Sequence, residues 1–427
     1  MVSGQNLAMP AQFKPEKSSR RLQPAPAQAG SLGHQNTAMR ILVACPAFPP
    51  AYSYGGTPMT AFGLAKGLQD LGQEVLVLTT DANGREDLPE TPGRLTTFSG
   101  VPVIYHHRWG KNPYFWAPGL AGNLKRLASC FDLALVRGNW SYINLAASRT
   151  LSGAVPVFLY PEGTFDPWAF RHHRAKKVLY WHLVENRNYR QAAAIIALTG
   201  SEAQQVKRMG IPGPVEVIPN GVFLSDFAET AFPRTSTDIY QGKRRGDRRV
   251  VLYLGRIHLK KGIDTLVAAL KIIPREERPL LVIAGHGDRW YENKIKNQVL
   301  DLQLTEDVLF TGMVTGAEKF RLLKSSDLLI LASRSEGLPH AVLEGMAARK
   351  PVIITPACNL PEVEERQAGF VIPEDAAMLA GVIRRLAADP RLREKMGENG
   401  YNLVQDRFTW EAVAAKTLEL AHRLRRN

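Results

Sequence analysis

Residues 328–348, LLILASRSEGLPHAVLEGMAA, contain the pattern that decides the fold class of this chain. The apolar run at 328–332 is typical of a buried strand, and Gly337 and Pro339 interrupt it before residues 340–348, which have the periodicity of a helix. Parallel α/β sheets are built from such strand, turn and helix units. The stretch therefore predicts an α/β protein.

Two carboxylates, Glu336 and Glu344, stand in this stretch, one in the loop after the strand and one in the first turns of the helix. In parallel α/β sheets, ligands bind at the carboxyl ends of the strands. Carboxylates there, beside free N–H groups at a helix N-terminus, fit a ligand that carries hydroxyls and phosphates, as sugar nucleotides do. The alternative is that one glutamate caps the helix and the other is solvated.

A second signal lies upstream, where the strand-like residues 250–254 run into GRIHLKKG at 255–262. Gly255 lets the backbone approach a ligand, Arg256 offers bidentate contacts, and Lys261 offers a point charge, which together suit a diphosphate. A solvated basic loop is the alternative. Further strands at 280–284 and 308–310 also end in glycine turns, at Gly285 and Gly312. This repetition predicts a ligand site along one edge of a sheet.

The order GR-x4-KG, glycine turns and Glu-x7-Glu resembles the retaining glycosyltransferases of family 4, among them enzymes that build bacterial surface polysaccharides and lipopolysaccharide. The resemblance covers nearly everything from Met39 to the C-terminus. It implies the GT-B fold, an α/β architecture in which two Rossmann-like domains face each other across a cleft. It also implies that the C-terminal helix crosses back to the first domain.

The resemblance also implies roles for individual residues. Arg256, Lys261 and Glu336 are the candidate catalytic residues: the two cations hold the donor diphosphate, and Glu336 contacts the donor sugar. Glu344 contacts the ribose. The other donor-site candidates act mainly through backbone groups and are Gly55, Gly56, Gly255, Gly285, Met313, Val314, Leu338, Pro339 and His340.

The amino-terminal half fits this interpretation. A strand at 40–44, the loop CPAFPPAYSYGGTP, a helix at about 59–71 and a strand at 74–78 form a βαβ unit. By resemblance, Gly55 and Gly56 bring loop backbone to the donor phosphates from the opposite side of the cleft. A flexible surface loop is the alternative, and a third glycine for a dinucleotide fingerprint is lacking.

The expected donor is a UDP-, GDP- or ADP-sugar, with no cofactor. No Asp-x-Asp motif occurs, so no metal is expected at the diphosphate. The stretch PEGTFDPW at 161–168 supplies two candidates for orienting the acceptor, Glu162 and Asp166, although Asp166 before a proline also suits a turn. The expected acceptor is a glycan or a lipid-linked glycan.

The length of 427 residues exceeds what one core usually serves, so two domains are expected. Residues 1–38 are poor in large apolar side chains, which predicts disorder. The remaining boundaries are expected at 39–224 for the first domain, 225–249 for a polar linker, 250–400 for the second domain and 401–427 for the terminal segment.

A formal net charge of +14 attracts anionic partners, yet no nucleic-acid-binding module is recognisable, so no nucleic acid is expected. A basic run at 171–177 precedes apolar residues at 178–183, which fits either an interfacial helix on an anionic membrane or a solvated helix with Trp181 in the core. Cys45, Cys130 and Cys358 have no metal-ligand spacing. We expect a cytoplasmic protein, with peripheral contact to the inner face of the membrane as an option.

Two other classes of function stay open at this stage. A GT-B enzyme of another reaction class, such as a sugar-nucleotide epimerase or a phosphorylase, shares the fold but not this full order of motifs. A protein that binds a sugar nucleotide or glycan without turnover would keep the same ligand residues. Turnover of a donor in the presence of an acceptor separates this second class from a transferase.

Overall fold

The computed structural model describes residues 38–89, 92–111, 114–165, 174–228, 239–240, 242–243 and 248–426. These residues form two α/β units, each built on a largely parallel sheet. The predicted extension at 1–38, apart from Ala38, and most of the predicted linker lie outside the described residues.

The first sheet has the strand order β10-β9-β8-β7-β1-β2-β6-β5, and β3 pairs with β4 in a separate hairpin. Strand β5 runs antiparallel to β6, and the other described pairs of the sheet are parallel. The strands are β1 Arg40–Ala44, β2 Glu74–Thr80, β3 Ala82–Asn83, β4 Glu86–Asp87, β5 Leu95–Phe98, β6 Val101–His106, β7 Leu133–Arg137, β8 Val157–Tyr160, β9 Ala194–Ala197 and β10 Val215–Val217.

Successive strand residues point to opposite faces of this sheet, and both faces are apolar, so helices cover both. Ile41 and Val43 of β1 belong to one apolar core, while Leu42 and Ala44 belong to the other. The described helices of this half are α1 Thr57–Asp70, α2 Pro118–Leu127, α3 Tyr142–Leu151, α4 Arg174–Tyr180, a π-helical segment Trp181–Glu185, α5 Asn186–Gln191 and α6 Gly200–Arg208.

The second sheet is parallel, with the strand order β13-β12-β11-β14-β15-β16. Its strands are β11 Val250–Leu254, β12 Leu280–Ala284, β13 Val308–Gly312, β14 Leu328–Leu331, β15 Val352–Ile354 and β16 Gly369–Val371. The helices that follow are α7 Ile263–Ile272, α8 Arg289–Asp301, α9 Gly316–Ser325, α10 His340–Ala347, α11 Glu362–Glu365, α12 Ala376–Ala388, α13 Pro390–Arg407 and α14 Trp410–Arg426.

Helix α14 crosses back to the first half, as predicted. Trp410 at its start lies against α1 so closely that a methyl group on Gly63 would fall 2.0 Å from the indole. Val413 and Leu420 of α14 are part of the first half's core. The structure therefore has the predicted GT-B architecture of two Rossmann-like halves with a returning helix.

The crossing begins later than the predicted boundary at 400. Helix α13 continues to Arg407, because Gly400 faces Met346 of α10 and Leu403 is buried in the second core. The two chain segments that connect the halves then run side by side: the Val222 N–H donates to Phe408 O at 2.8 Å, and the Trp410 N–H to Val222 O at 3.3 Å. Among the described helices, none is both long and apolar enough to cross a membrane.

Candidate active site

The sheet order brings the predicted glycine turns of the second half together. Gly255, Gly285 and Gly312 follow or end the neighbouring strands β11, β12 and β13. The Gly285 N–H donates to Gly312 O at 2.7 Å, and a methyl group on Gly285 would lie 1.9 Å from Gly255 O. The three turns thus form one continuous backbone edge, beside the loop that follows β14.

Lys261 and Glu336 meet at this edge. Gly262 adopts a left-handed conformation, φ 63°, against Ala332 O, and this turn directs Lys261 toward the loop after β14. The Lys261 Nζ donates to Glu336 Oε1 in an ion pair, and Ser333 Oγ donates to the same oxygen at 2.6 Å. The Glu336 side chain is only 8% exposed. Lys261, predicted to bind the diphosphate, and Glu336, predicted to contact the sugar, therefore share one largely buried cluster.

Arg256 is placed at the same edge but does not join this cluster. Its carbonyl accepts a hydrogen bond from Tyr253 Oη at 2.8 Å, which fixes the backbone, while the residue as a whole is exposed. Within the described residues, no carboxylate forms an ion pair with its guanidinium. An exposed guanidinium beside the glycine edge is able to contact an anionic group.

Glu344 lies on α10, the helix that follows the loop containing Glu336. It accepts a hydrogen bond from Lys319 Nζ at 2.6 Å and lies 3.3 Å from His340 Nδ1. Burial opposes its ionisation, but Lys319 and His340 outweigh burial and lower the pKa of Glu344 to about 2. Glu344 is therefore a carboxylate throughout the neutral range, which suits an acceptor of hydrogen bonds from hydroxyls.

His340 connects this site to the segment between the halves. It is the first residue of α10, and its Nε2 lies 2.9 Å from Gly221 O. The preceding Leu338 and Pro339 are buried. At the other end of the edge, Met313 is 54% exposed and Val314 is buried, so these two donor-site candidates offer one open side chain.

The first half contributes Gly55 and Gly56, which precede α1. Both are exposed, and a methyl group on either would meet no atom within 4 Å. Gly55 has φ 70°, a conformation that side chains rarely adopt. The structure therefore places these glycines in open space at a helix N-terminus, where the predicted approach to phosphates is sterically free.

Glu162 lies where the two halves touch. It has φ 55°, and the next residue, Gly163, is so close to the second half that a methyl group on it would lie 3.3 Å from Gly337 Cα. The Glu162 carboxylate accepts a hydrogen bond from Arg137 Nε at 2.7 Å. The other predicted acceptor residue, Asp166, lies outside the described residues.

Arg137 was not predicted from the sequence, although an arginine at the end of an otherwise apolar strand is a signal. It is 1% exposed, and its Nη2 also donates to Thr60 Oγ1 at 3.0 Å and Asn220 Oδ1 at 3.1 Å. Glu202 supports the same turn, because it accepts hydrogen bonds from the N–H groups of Gly163 and Leu198. Burial raises the pKa of Glu202 to about 7.

Ser333 and Lys319 are two further residues that the sequence analysis missed. Ser333 stands three positions before Glu336, so its place at the end of a strand was a usable signal. Lys319 comes from α9, and nothing local in its sequence links it to Glu344.

Family models match both halves of the chain. The glycosyl transferase 4-like domain matches residues 55–221, and the model for glycosyl transferases group 1 matches residues 235–403. The chain belongs to the family 4 glycosyltransferases of the GT-B fold. Both matches include the strand ends that carry the site of this glycosyltransferase.

Individual relatives agree with this family. The glycosyltransferase is 25% identical over 399 residues to an uncharacterised glycosyltransferase of Methanocaldococcus jannaschii, covering 90% of this chain and 97% of that protein. It is 30% identical over 237 residues to the lipopolysaccharide core biosynthesis glycosyltransferase LpsD of Rhizobium meliloti, covering 55% and 65% of the two chains. The crystal structure of Anabaena HepE in complex with UDP-glucose has a similar fold, with a TM-score of 0.69 at 20% identity, covering 91% of this chain and all of HepE (100%).

Proposed function

We propose that this glycosyltransferase transfers a hexose from a UDP-, GDP- or ADP-sugar to a glycan or lipid-linked glycan, with retention at the anomeric carbon, in polysaccharide assembly. The observation that supports this most is the Lys261–Glu336 ion pair at the glycine edge, because Glu336 belongs to the same strand–helix unit as the ionised Glu344. Cations, carboxylates and open backbone at one edge match the phosphates, sugar and ribose of such a donor.

In this proposal, Lys261 and Arg256 bind the diphosphate, Glu336 binds the hydroxyls of the donor sugar, and Glu344 binds the ribose. The N-termini of α10 and of α1, which begins just after Gly55 and Gly56, supply further N–H groups and a favourable dipole. The Gly55 N–H itself already donates to Tyr52 O at 3.0 Å. The cations and the helix N-termini stabilise the negative charge that grows on the leaving diphosphate. We therefore propose that neither a cofactor nor a metal is required.

In this proposal, the acceptor attacks the anomeric carbon on the same face from which the leaving group departs, so the configuration is retained. The acceptor oxygen forms a bond to the anomeric carbon as the bond from that carbon to the phosphate oxygen breaks. The hydroxyl proton passes to a phosphate oxygen. We propose that Glu336 binds the sugar and does not act as the nucleophile of a glycosidase-like pair. Lys261 and Ser333 hold its oxygen Oε1 in place.

We also propose that the enzyme works in the cytoplasm, with the first half against the inner face of the membrane. Leu179 and Leu183 are 61% and 69% exposed, and Lys176 on the same segment is exposed, so this surface combines apolar and cationic side chains. Trp181, by contrast, is buried against Phe165 and Tyr189, and it belongs to the core of the first half.

The experiment incubates the full chain with UDP-, GDP- and ADP-hexoses and deacylated core oligosaccharide of lipopolysaccharide, with and without EDTA. NMR then assigns the anomeric configuration of the product. We expect one donor to be consumed with its configuration retained and with no effect of EDTA. An inverted product would overturn retention, loss of turnover with EDTA would overturn metal independence, and nucleotide binding without turnover would support a binding protein.

A further inference from the structure

Two tryptophans stand exposed at the carboxyl edge of the first sheet, in the loop that follows β6. Trp109 is 58% exposed and Trp116 is 43% exposed, and their ring centroids lie 5.7 Å apart in an edge-to-face arrangement. The backbone N–H of Trp109 donates to the backbone carbonyl of Trp116 at 2.7 Å, which joins the two ends of the loop. Large aromatic side chains left in water are a common mark of a binding surface.

The loop is fixed by a buried arginine. Arg108 is 3% exposed, and its side chain donates to Asp87 Oδ1 at 2.6 Å, to Glu86 O at 2.6 Å and to Tyr54 Oη at 3.3 Å. Phe115 has φ 56°, a conformation that non-glycine residues hold only when their surroundings enforce it. Residues 112–113 lie outside the described part of this loop, but each indole stands next to a residue with defined geometry, Arg108 or Phe115.

The same contacts place the tryptophan pair beside the active site. Tyr54, which accepts from Arg108, has its ring centroid 5.4 Å from that of Phe115 in a tilted arrangement, and it is followed directly by Gly55. Helix α1 begins two positions later, and its Thr60 contacts Arg137, which holds Glu162 at the border of the halves. The residues on either side of the two indoles, Arg108 and Phe115, thus contact the residue that directly precedes Gly55.

Charge around the pair indicates what kind of molecule it binds. Arg108 and Lys111, which stand next to Trp109 in the chain, both face the Asp87 carboxylate, at 2.6 Å and 3.9 Å. An anionic lipid headgroup requires cations that are free to bind it, whereas an uncharged sugar ring requires an apolar face. The C–H face of a pyranose fits an indole ring in this way.

We propose that Trp109 and Trp116 form a glycan subsite that binds a sugar of the acceptor beyond the one that reacts. This rests on the proposed transferase function and assigns its acceptor to saccharides of at least two units. The pair binds the distal sugar by stacking, while the terminal sugar extends past Gly55 toward Glu162.

The test measures binding of α- and β-linked gluco-, manno- and galacto-oligosaccharides, from mono- to tetrasaccharides, by saturation-transfer NMR on the full chain. The variants are Trp109→Ala and Trp116→Ala, with Trp290→Ala as the matched control, because Trp290 is 61% exposed and also lies edge to face with a neighbouring ring, but in the second half. We expect one series to bind more tightly from disaccharide upward, and each loop variant to weaken it about tenfold, near 1.4 kcal/mol. Trp290→Ala should leave binding unchanged.

Two controls separate the possible failures. Nucleotide binding by the same variants should be unchanged. A wild type that binds no nucleotide would count against the proposed function and not against the subsite. Binding to phosphatidylglycerol vesicles is measured in parallel. The subsite is overturned if no saccharide binds the wild type, if binding survives both loop substitutions, or if these substitutions abolish vesicle binding instead.

Discussion

At the scale of single residues, the account depends on charges held in largely buried positions. Lys261 and Glu336 have 14% and 8% exposed side chains, and an ion pair at such a place is costly to break by removing one partner. A protein keeps a pair of this kind more readily when it serves a ligand than when it serves stability alone. The first prediction therefore concerns the lysine.

We expect Lys261→Ala to lower turnover about a hundredfold, because one charged contact to the leaving diphosphate is lost. Lys260→Ala is the matched control, since it removes the same charge from the neighbouring position and should change turnover little. Initial rates are measured at saturating donor, and melting curves confirm that both variants are folded. Equal turnover in wild type and Lys261→Ala would remove Lys261 from the chemistry.

The second residue-scale prediction concerns pH and Glu202. Burial raises its pKa from 4.5 to about 7, and burial does the same to Glu185. A raised carboxyl pKa favours the folded state fully below pH 4.5, and this contribution is lost as the pH rises toward 7. Each group adds at most about 1.4 kcal/mol per pH unit to this fall in the free energy of unfolding.

We expect Glu202→Gln to remove one of these two contributions, so the free energy of unfolding falls less steeply from about pH 5 to about pH 7. Urea unfolding across that range measures the slope. Glu318→Gln is the control, because Glu318 is exposed and should leave the slope as in the wild type. An unchanged slope in Glu202→Gln would show that this carboxyl does not titrate there.

The sequence alone predicted the site residues that belong to a recognisable local motif. It missed those whose partners are distant in the chain. Lys261 and Glu336 stand in glycine-containing turns after apolar strands, and Glu344 stands in the helix that follows the second of these turns. The structure places all three at the same edge. Lys319 and Arg137 reach their partners only through the tertiary fold. Their separation from those partners, 25 residues in each case, exceeds any helical or strand period.

At the scale of elements, glycines set the positions of the strand-end loops. Gly262 ends the turn Leu259–Lys261 with φ 63°, and a methyl group there would lie 1.9 Å from Ala332 O. The turn and the loop after β14 are therefore in contact through backbone alone. A side chain at this position separates Lys261 from Glu336.

We expect Gly262→Ala to destabilise the protein and to weaken nucleotide binding. Gly72→Ala is the matched control: Gly72 has φ 79°, but a methyl group there meets no atom within 4 Å. The control should show only the conformational cost of about 1–2 kcal/mol. Denaturant unfolding and nucleotide titration measure both variants, and equal effects would show that the contact with Ala332 is unimportant.

The bounds of several elements were predictable because apolar runs ended at glycine or proline. Strands β1, β11 and β12 have the predicted bounds. The end of the second domain was harder to predict than these bounds, since Gly400 in the interior of α13 is typical of a helix end. Packing against Met346 overrides that local preference, which only the folded structure reveals.

At the scale of the whole molecule, one residue of the site touches the connection between the halves. His340 lies 3.3 Å from Glu344 through Nδ1 and 2.9 Å from Gly221 O through Nε2. Gly221 is also packed against Thr409, at the start of the returning helix. A donor that binds Glu344 is therefore coupled by direct contacts to both chain segments that join the halves.

The most direct test of the central claim is a thermal-shift titration of the full chain with UDP, GDP and ADP. We predict that one nucleotide stabilises the wild type, by about 2.7 kcal/mol at a hundredfold excess over Kd. Glu344→Gln and Lys261→Ala should lose this shift, while Glu318→Gln keeps it. A folded wild type that responds to no nucleotide, or a shift that survives both substitutions, would contradict a donor site at this edge.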